Sequence, residues 1–136
     1  VSLHGDPERA YPYFTGHRDE RGTGPGRGTT MNIPLPPGLD DDGYLEQLTA
    51  ACADIDAFDP ETVVVSLGLD TYFDDPICDL DLTADGFERC GALVGGLGRP
   101  TVVLQEGGYA TADLGENARR WLAGLDAASG RTVRAP

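Results

Sequence analysis

The sequence predicts an α/β fold built on a parallel sheet, and three observations carry that expectation. Residues 62–67 and 101–104 are short, continuous apolar runs rich in β-branched side chains, as buried strands are. Stretches with apolar residues at helical spacing precede, separate and follow these runs. Helix, strand, helix, strand, helix in that order is the signature of right-handed βαβ units.

Taken along the chain, Val1-Ser2-Leu3-His4 reads as the end of an apolar strand without an initiator Met. That start predicts that a substantial N-terminal part of the domain is absent from this sequence. Residues 5–30 form a long irregular stretch rich in Gly, Pro and charge, and loops of that length are usually functional or disordered. Tyr11, Tyr13 and Phe14 within it need something to pack on, which argues for order. Residues 31–35 form a short extended piece that Pro34 confines to an edge or a loop.

Asp40-Asp41-Asp42 offers an N-cap and acidic first-turn residues for a helix over 43–57. Leu45, Leu48, Cys52 and Ile55 are its expected buried stripe. The continuous run 62–67 predicts a strand covered on both faces. Thr83 is the expected cap of a second helix, with Phe87, Cys90, Val94 and Leu97 inward. After the strand at 101–104, a last helix over 113–125 turns Leu114, Ala118, Trp121, Leu122 and Leu125 to one side. Residues 126–136 read as a frayed tail, leaving one domain over 1–125.

The bulk properties narrow the partners. With 10 basic against 23 acidic residues the formal net charge is −13. Such a surface repels phosphate backbones, so nucleic acid and anionic membrane are poor partners, while a cationic substrate would suit it. No run approaches the ~18 apolar residues of a membrane span. Cys52, Cys78 and Cys90 form neither a C-x-x-C nor an even disulfide set, which fits a reducing cytoplasm. Homo-oligomerisation is left open by the sequence.

Ligands of open parallel sheets bind outside the carboxyl ends of the strands. Two exits therefore matter: Gly68-Leu69-Asp70-Thr71 and Gln105-Glu106-Gly107-Gly108-Tyr109. Asp70 there is a metal ligand or a base, or a carboxylate capping its own turn. Tyr109 is a donor to a developing oxyanion, or a ring packed over a glycine turn. Asp74 and Asp75 add acidity nearby, although Asp75-Pro76 has turn initiation as its default reading. A His4–Asp6–Asp70 metal trio is conceivable, but neither spacing nor ligand count singles it out. The glycine-rich segment 22–28 fails as a phosphate loop: no apolar strand leads into it and no Lys-Ser/Thr follows it.

Together the motifs resemble those of the zinc-dependent histone deacetylase family. The matching residues are Val1-Ser2-Leu3-His4-Gly5-Asp6-Pro7, Tyr11-Pro12-Tyr13-Phe14-Thr15-Gly16 and Asn32-Ile33-Pro34-Leu35-Pro36. Ser66-Leu67-Gly68-Leu69-Asp70-Thr71, running on to Asp75-Pro76, and Glu106-Gly107-Gly108-Tyr109 continue the series. The flavour is that of bacterial acetylpolyamine amidohydrolases and class II enzymes. The resemblance implies a three-layer, parallel-sheet α/β fold of the arginase/deacetylase type, here its C-terminal portion, and one catalytic Zn²⁺. It implies a hydrolase that removes acetyl groups from acetyl-lysine or acetylpolyamines. By position, Asp70 matches a zinc ligand and Tyr109 the tyrosine that stabilises the tetrahedral intermediate. Phe14, Ile77, Gly107 and Gly108 match the substrate tunnel; Ser2 and the Leu3 carbonyl match a structural monovalent-cation site, usually K⁺.

The family's paired histidines and its Asp-x-His zinc ligands fall upstream of Val1. One matched ligand is fewer than the roughly three a catalytic zinc takes, so this chain alone is expected to be inactive. The alternative reading is a truncated, catalytically silent domain that only binds a partner.

Overall fold

The computed structural model describes residues 1–130. Its elements are β1 (Ser2–Gly5), β2 (Asn32–Leu35), α1 (Asp41–Phe58), β3 (Val63–Leu67), α2 (Ala84–Gly95), β4 (Thr101–Gln105) and α3 (Leu114–Ala128). The strands pair in parallel as two separate two-stranded sheets, β1 with β2 and β3 with β4. The register sets Leu3 opposite Ile33, and Val63 to Leu67 opposite Thr101 to Gln105. The α/β reading with parallel strands therefore stands.

Local chemistry explains where the helices begin. The Asp40 carboxylate accepts from the Gly43 amide at 3.0 Å and caps α1. This cap starts the helix at Asp41, slightly ahead of the expected position. At α2, Thr83 Oγ1 accepts from the Gly86 amide at 3.1 Å. The same hydroxyl donates to Asp41 Oδ2 at 2.6 Å, so the start of α1 anchors the cap of α2. Gly86 permits this approach, because a Cβ there would stand 1.9 Å from Asp41 Oδ1.

One core joins the elements. Leu35, Leu45, Leu69, Phe87, Cys90, Val94 and Trp121 are buried in it, with Val65, Val103 and Leu125 packed against them. The helix α3 runs on to Ala128, past the expected end, and residues 131–136 of the expected tail lie outside the described residues.

Three packing expectations need correction. Tyr11, Tyr13 and Phe14 find little to pack on beyond the Tyr11–Tyr13 edge contact and are 83%, 62% and 77% exposed; hydrogen bonds such as that from the Gly16 amide to Glu20 order their segment instead. Leu122 was placed on the buried side of α3 but is 48% exposed; Asn117 and Gly124 are buried on that helix beside Trp121. The run at β3 was expected to be covered on both faces. Val64 is 63% exposed, and Val102 and Leu104 on β4 share its face and its exposure. Alternation sends Val65 and Val103 to the core and these residues the other way, and nothing among the described residues covers them. Among the described residues no helix is long and apolar enough to cross a membrane.

Candidate functional site

The pairing of β3 with β4 extends past both strand ends. The Glu106 amide donates to the Leu67 carbonyl at 3.0 Å, and the Leu69 amide to the Gly107 carbonyl at 2.9 Å. These bonds carry the two exit loops side by side and bring Asp70 next to the Glu106–Tyr109 turn.

Two glycines make room for the Asp70 carboxylate. A Cβ on Gly107 would lie 2.7 Å from Asp70 Oδ2, and one on Gly68 would lie 2.8 Å from Oδ1. Gly108 has φ of +129°, open to glycine and strained for other residues. A Cβ there would also meet Leu114 Cδ1 at 2.6 Å. Gly107 and Gly108 thus seat the carboxylate and steer the chain to Tyr109.

Burial pushes the Asp70 carboxyl above its ordinary range, and the Glu106 and Asp75 carboxylates push it the same way. A hydrogen bond from the Asp70 backbone N–H opposes them. Excess negative charge in a half-buried crevice favours a cation there.

The sequence assigns Asp75 only nearby acidity and a turn, but the residue is 8% exposed and its carboxylate is fully engaged. Its Oδ2 accepts from the amides of Tyr109 at 2.6 Å and Ala110 at 3.2 Å, and its Oδ1 accepts from the Ile77 amide at 3.0 Å. The Asp-Pro turn is present, but the side chain reaches 34 residues along the chain to the other loop.

A cavity of about 720 Å³ is lined by every residue of β1 and β3 together with Asp70, Ile77, Glu106 and Tyr109. Ser2 and Leu3 therefore share one cavity with Asp70 and Tyr109. Phe14 does not line it and is 77% exposed, as Ile77 is at 65%. Gly107 and Gly108 stand behind Asp70 and Leu69 rather than on the wall.

The His4–Asp6–Asp70 trio does not form. Among the described residues no group of three His, Cys, Asp or Glu could hold a metal ion. His4 is otherwise engaged, with Nε2 2.8 Å from the Gly16 carbonyl and Nδ1 2.8 Å from Ser2 Oγ. A carbonyl can only accept, so Nε2 carries the proton. In the neutral ring Nδ1 then accepts from the Ser2 hydroxyl, which leaves the Ser2 oxygen lone pairs free. The donor set of this chain alone does not fit a catalytic zinc, which takes about three protein ligands where Asp70 offers one carboxylate.

Residues 1–125 match the family model described as the histone deacetylase domain. This chain belongs to that family. It is 44% identical over 130 residues to an acetylpolyamine amidohydrolase of Burkholderia pseudomallei, covering 96% of this chain and 38% of the relative. Histone deacetylase 8 of Danio rerio is 37% identical over 122 residues, covering 89% of this chain and 31% of that protein. Among solved structures, the acetylpolyamine aminohydrolase of B. pseudomallei superposes with a TM-score of 0.91 at 44% identity over 94% of this chain and 37% of that one. An HDAC homolog from Aquifex aeolicus gives 0.82 at 33% identity, covering 97% and 35%. The chain thus has the fold of this part of a deacetylase and spans about a third of its relatives' length.

Proposed function

We propose that this chain supplies part of the active site of a zinc-dependent amidohydrolase that removes acetyl groups from acetylated amines. The observation that carries the reading is the juxtaposition of Asp70 and Tyr109, on exit loops paired through the Leu69–Gly107 hydrogen bond and open to one cavity. Zinc, when bound, would polarise the acetyl carbonyl and activate water, and Asp70 is one of its ligands. Further ligands come from outside these residues. Tyr109 donates its phenolic hydrogen to the oxygen that gains charge as the amide carbon becomes tetrahedral. Ile77, with Phe14 farther out, belongs to the rim of the substrate tunnel. Ser2 Oγ and the Leu3 carbonyl hold a monovalent cation, K⁺ by resemblance, consistent with the free lone pairs on Ser2.

Acetylpolyamines are favoured over acetyl-lysine as substrates. The bacterial relatives named for them are 41–44% identical, against 35–37% for histone deacetylase 8. The net charge of −13 also suits a substrate that keeps a second, protonated amine. A cytoplasmic location accords with the free cysteines Cys52, Cys78 and Cys90.

The test is kinetic and analytical, on the full-length protein with a monoacetylated diamine and an acetyl-lysine peptide. Tyr109→Phe should lower kcat by about 10²–10³ on either substrate while zinc content is unchanged. Asp70→Ala should lose the zinc itself. Full activity in the first variant, or full zinc in the second, removes that residue from the site. If the unsubstituted full-length protein cleaves neither substrate, the silent binding domain becomes the better reading.

A further inference from the structure

We propose that Asp75 is the positioning residue for Tyr109, acting through the tyrosine's backbone; the inference rests on Tyr109 being the oxyanion donor. Tyr109 is 50% exposed, so packing constrains its side chain only in part. Its direction is therefore set largely by the main chain beneath it. That main chain is fixed at both ends of the residue. The amide is held by Asp75 Oδ2 at 2.6 Å, and the carbonyl accepts from the Thr111 amide at 2.9 Å. Gly108, immediately before, has φ of +129°, which turns the chain into Tyr109 and leaves the next amide to be fixed by the acceptor it meets. Without the carboxylate the Tyr109 and Ala110 amides lose the acceptor that fixes them.

The choice of a carboxylate follows from the donors that meet it. Three N–H groups converge on Asp75, and a carboxylate offers acceptors on both oxygens. Asparagine matches the shape but turns one oxygen into an NH₂, which would face an N–H donor at either Ile77 or the Tyr109–Ala110 pair. Charge-assisted bonds of this kind are short and about twice as strong as neutral ones. Because the second oxygen holds the Ile77 amide, the same group keeps the proposed rim residue and the proposed donor at a fixed separation.

The deciding experiment combines a double-mutant cycle with amide NMR on the full-length protein. Asp75→Asn should lower kcat by about 10- to 100-fold, the cost of a misplaced catalytic group, with KM little changed. In a Tyr109→Phe background the same substitution should have no further effect, because the phenol it positions is gone. An equal loss in both backgrounds, or a rise in KM alone, overturns the proposal and leaves Asp75 merely structural. The Tyr109 and Ala110 amide protons should be shifted downfield and slow to exchange in the unsubstituted protein. Rapid exchange of both overturns the clamp whether or not Asp75→Asn folds. An unsubstituted protein with no deacetylase activity but slow amides would instead defeat the functional reading and leave the clamp standing.

Discussion

The two faces of the β3–β4 sheet are built from similar residues and have opposite surroundings. On one face Val65, Leu67 and Val103 meet Phe87, Cys90, Val94 and Trp121 in a single core. On the other, Val64, Val102 and Leu104 are 63%, 49% and 56% exposed. The helices of the first face are also unusually close. A Cβ on Gly91 would stand 1.9 Å from the Trp121 carbonyl, and one on Gly124 would stand 1.9 Å from the Glu88 carbonyl. Each helix thus offers a glycine to the other's backbone, and main-chain contact at these points adds to the side-chain core. The comparison separates two meanings of an apolar strand. Hydrophobicity records that a face is suited to burial, while contact alone decides whether it is buried.

The largest expected effect lies on the closed face. Gly91→Val and Gly124→Val each drive a side chain into a backbone carbonyl that cannot rotate away. Each should cost about 3 kcal/mol or more, enough to unfold a marginal domain. Urea unfolding followed by circular dichroism would show it as a collapsed midpoint. A loss below about 1 kcal/mol would mean that α2 and α3 sit farther apart than described.

The open face should respond far less. Val64→Thr, Val102→Thr and Leu104→Thr replace exposed apolar groups with a residue that keeps strand preference. Each should stay within about 0.5 kcal/mol in this chain, again by urea unfolding. Losses above about 1 kcal/mol that grow with protein concentration would show the face to be covered in solution, which breaks the contrast.

The same distinction explains what was legible in the sequence. The helices α1, α2 and α3 and the strands β3 and β4 were readable because local periodicity and capping chemistry set them, and Asp40 and Thr83 do cap as their positions suggest. Asp70 and Tyr109 were readable as neighbours because strand order places successive exits together. The open face was not, since composition gives no account of which neighbours a strand has. Nor was the Asp75 clamp. Its local signal, an Asp before Pro, is satisfied by a turn, and its partners lie in another loop. Leu122 failed for a related reason: at the α2–α3 contact the close backbones favour Gly124 over a larger side chain, and Leu122 is left outward.

The smallest effect belongs to the charges at the rim of the closed face. Glu116 accepts from Arg119 at 2.8 and 2.6 Å and from Arg120 at 3.0 Å. Arg120 in turn reaches Glu88 on α2 at 2.7 Å, which ties the two helices at their edge. These hydrogen bonds, first that from Arg119, draw the Glu116 carboxyl from 4.5 down to about 2. A carboxyl depressed on folding stabilises the protein above its unfolded value, and the gain is lost as pH falls from about 4.5 through about 2. Glu116→Gln should therefore flatten the fall of the thermal midpoint across that window and change little at pH 7, because exposed pairs are screened. The measurement is a pair of thermal melts against pH at low salt. An unchanged slope would mean that Glu116 gains nothing from its arginines, and the rim would join the open face as a surface whose visible contacts carry little energy.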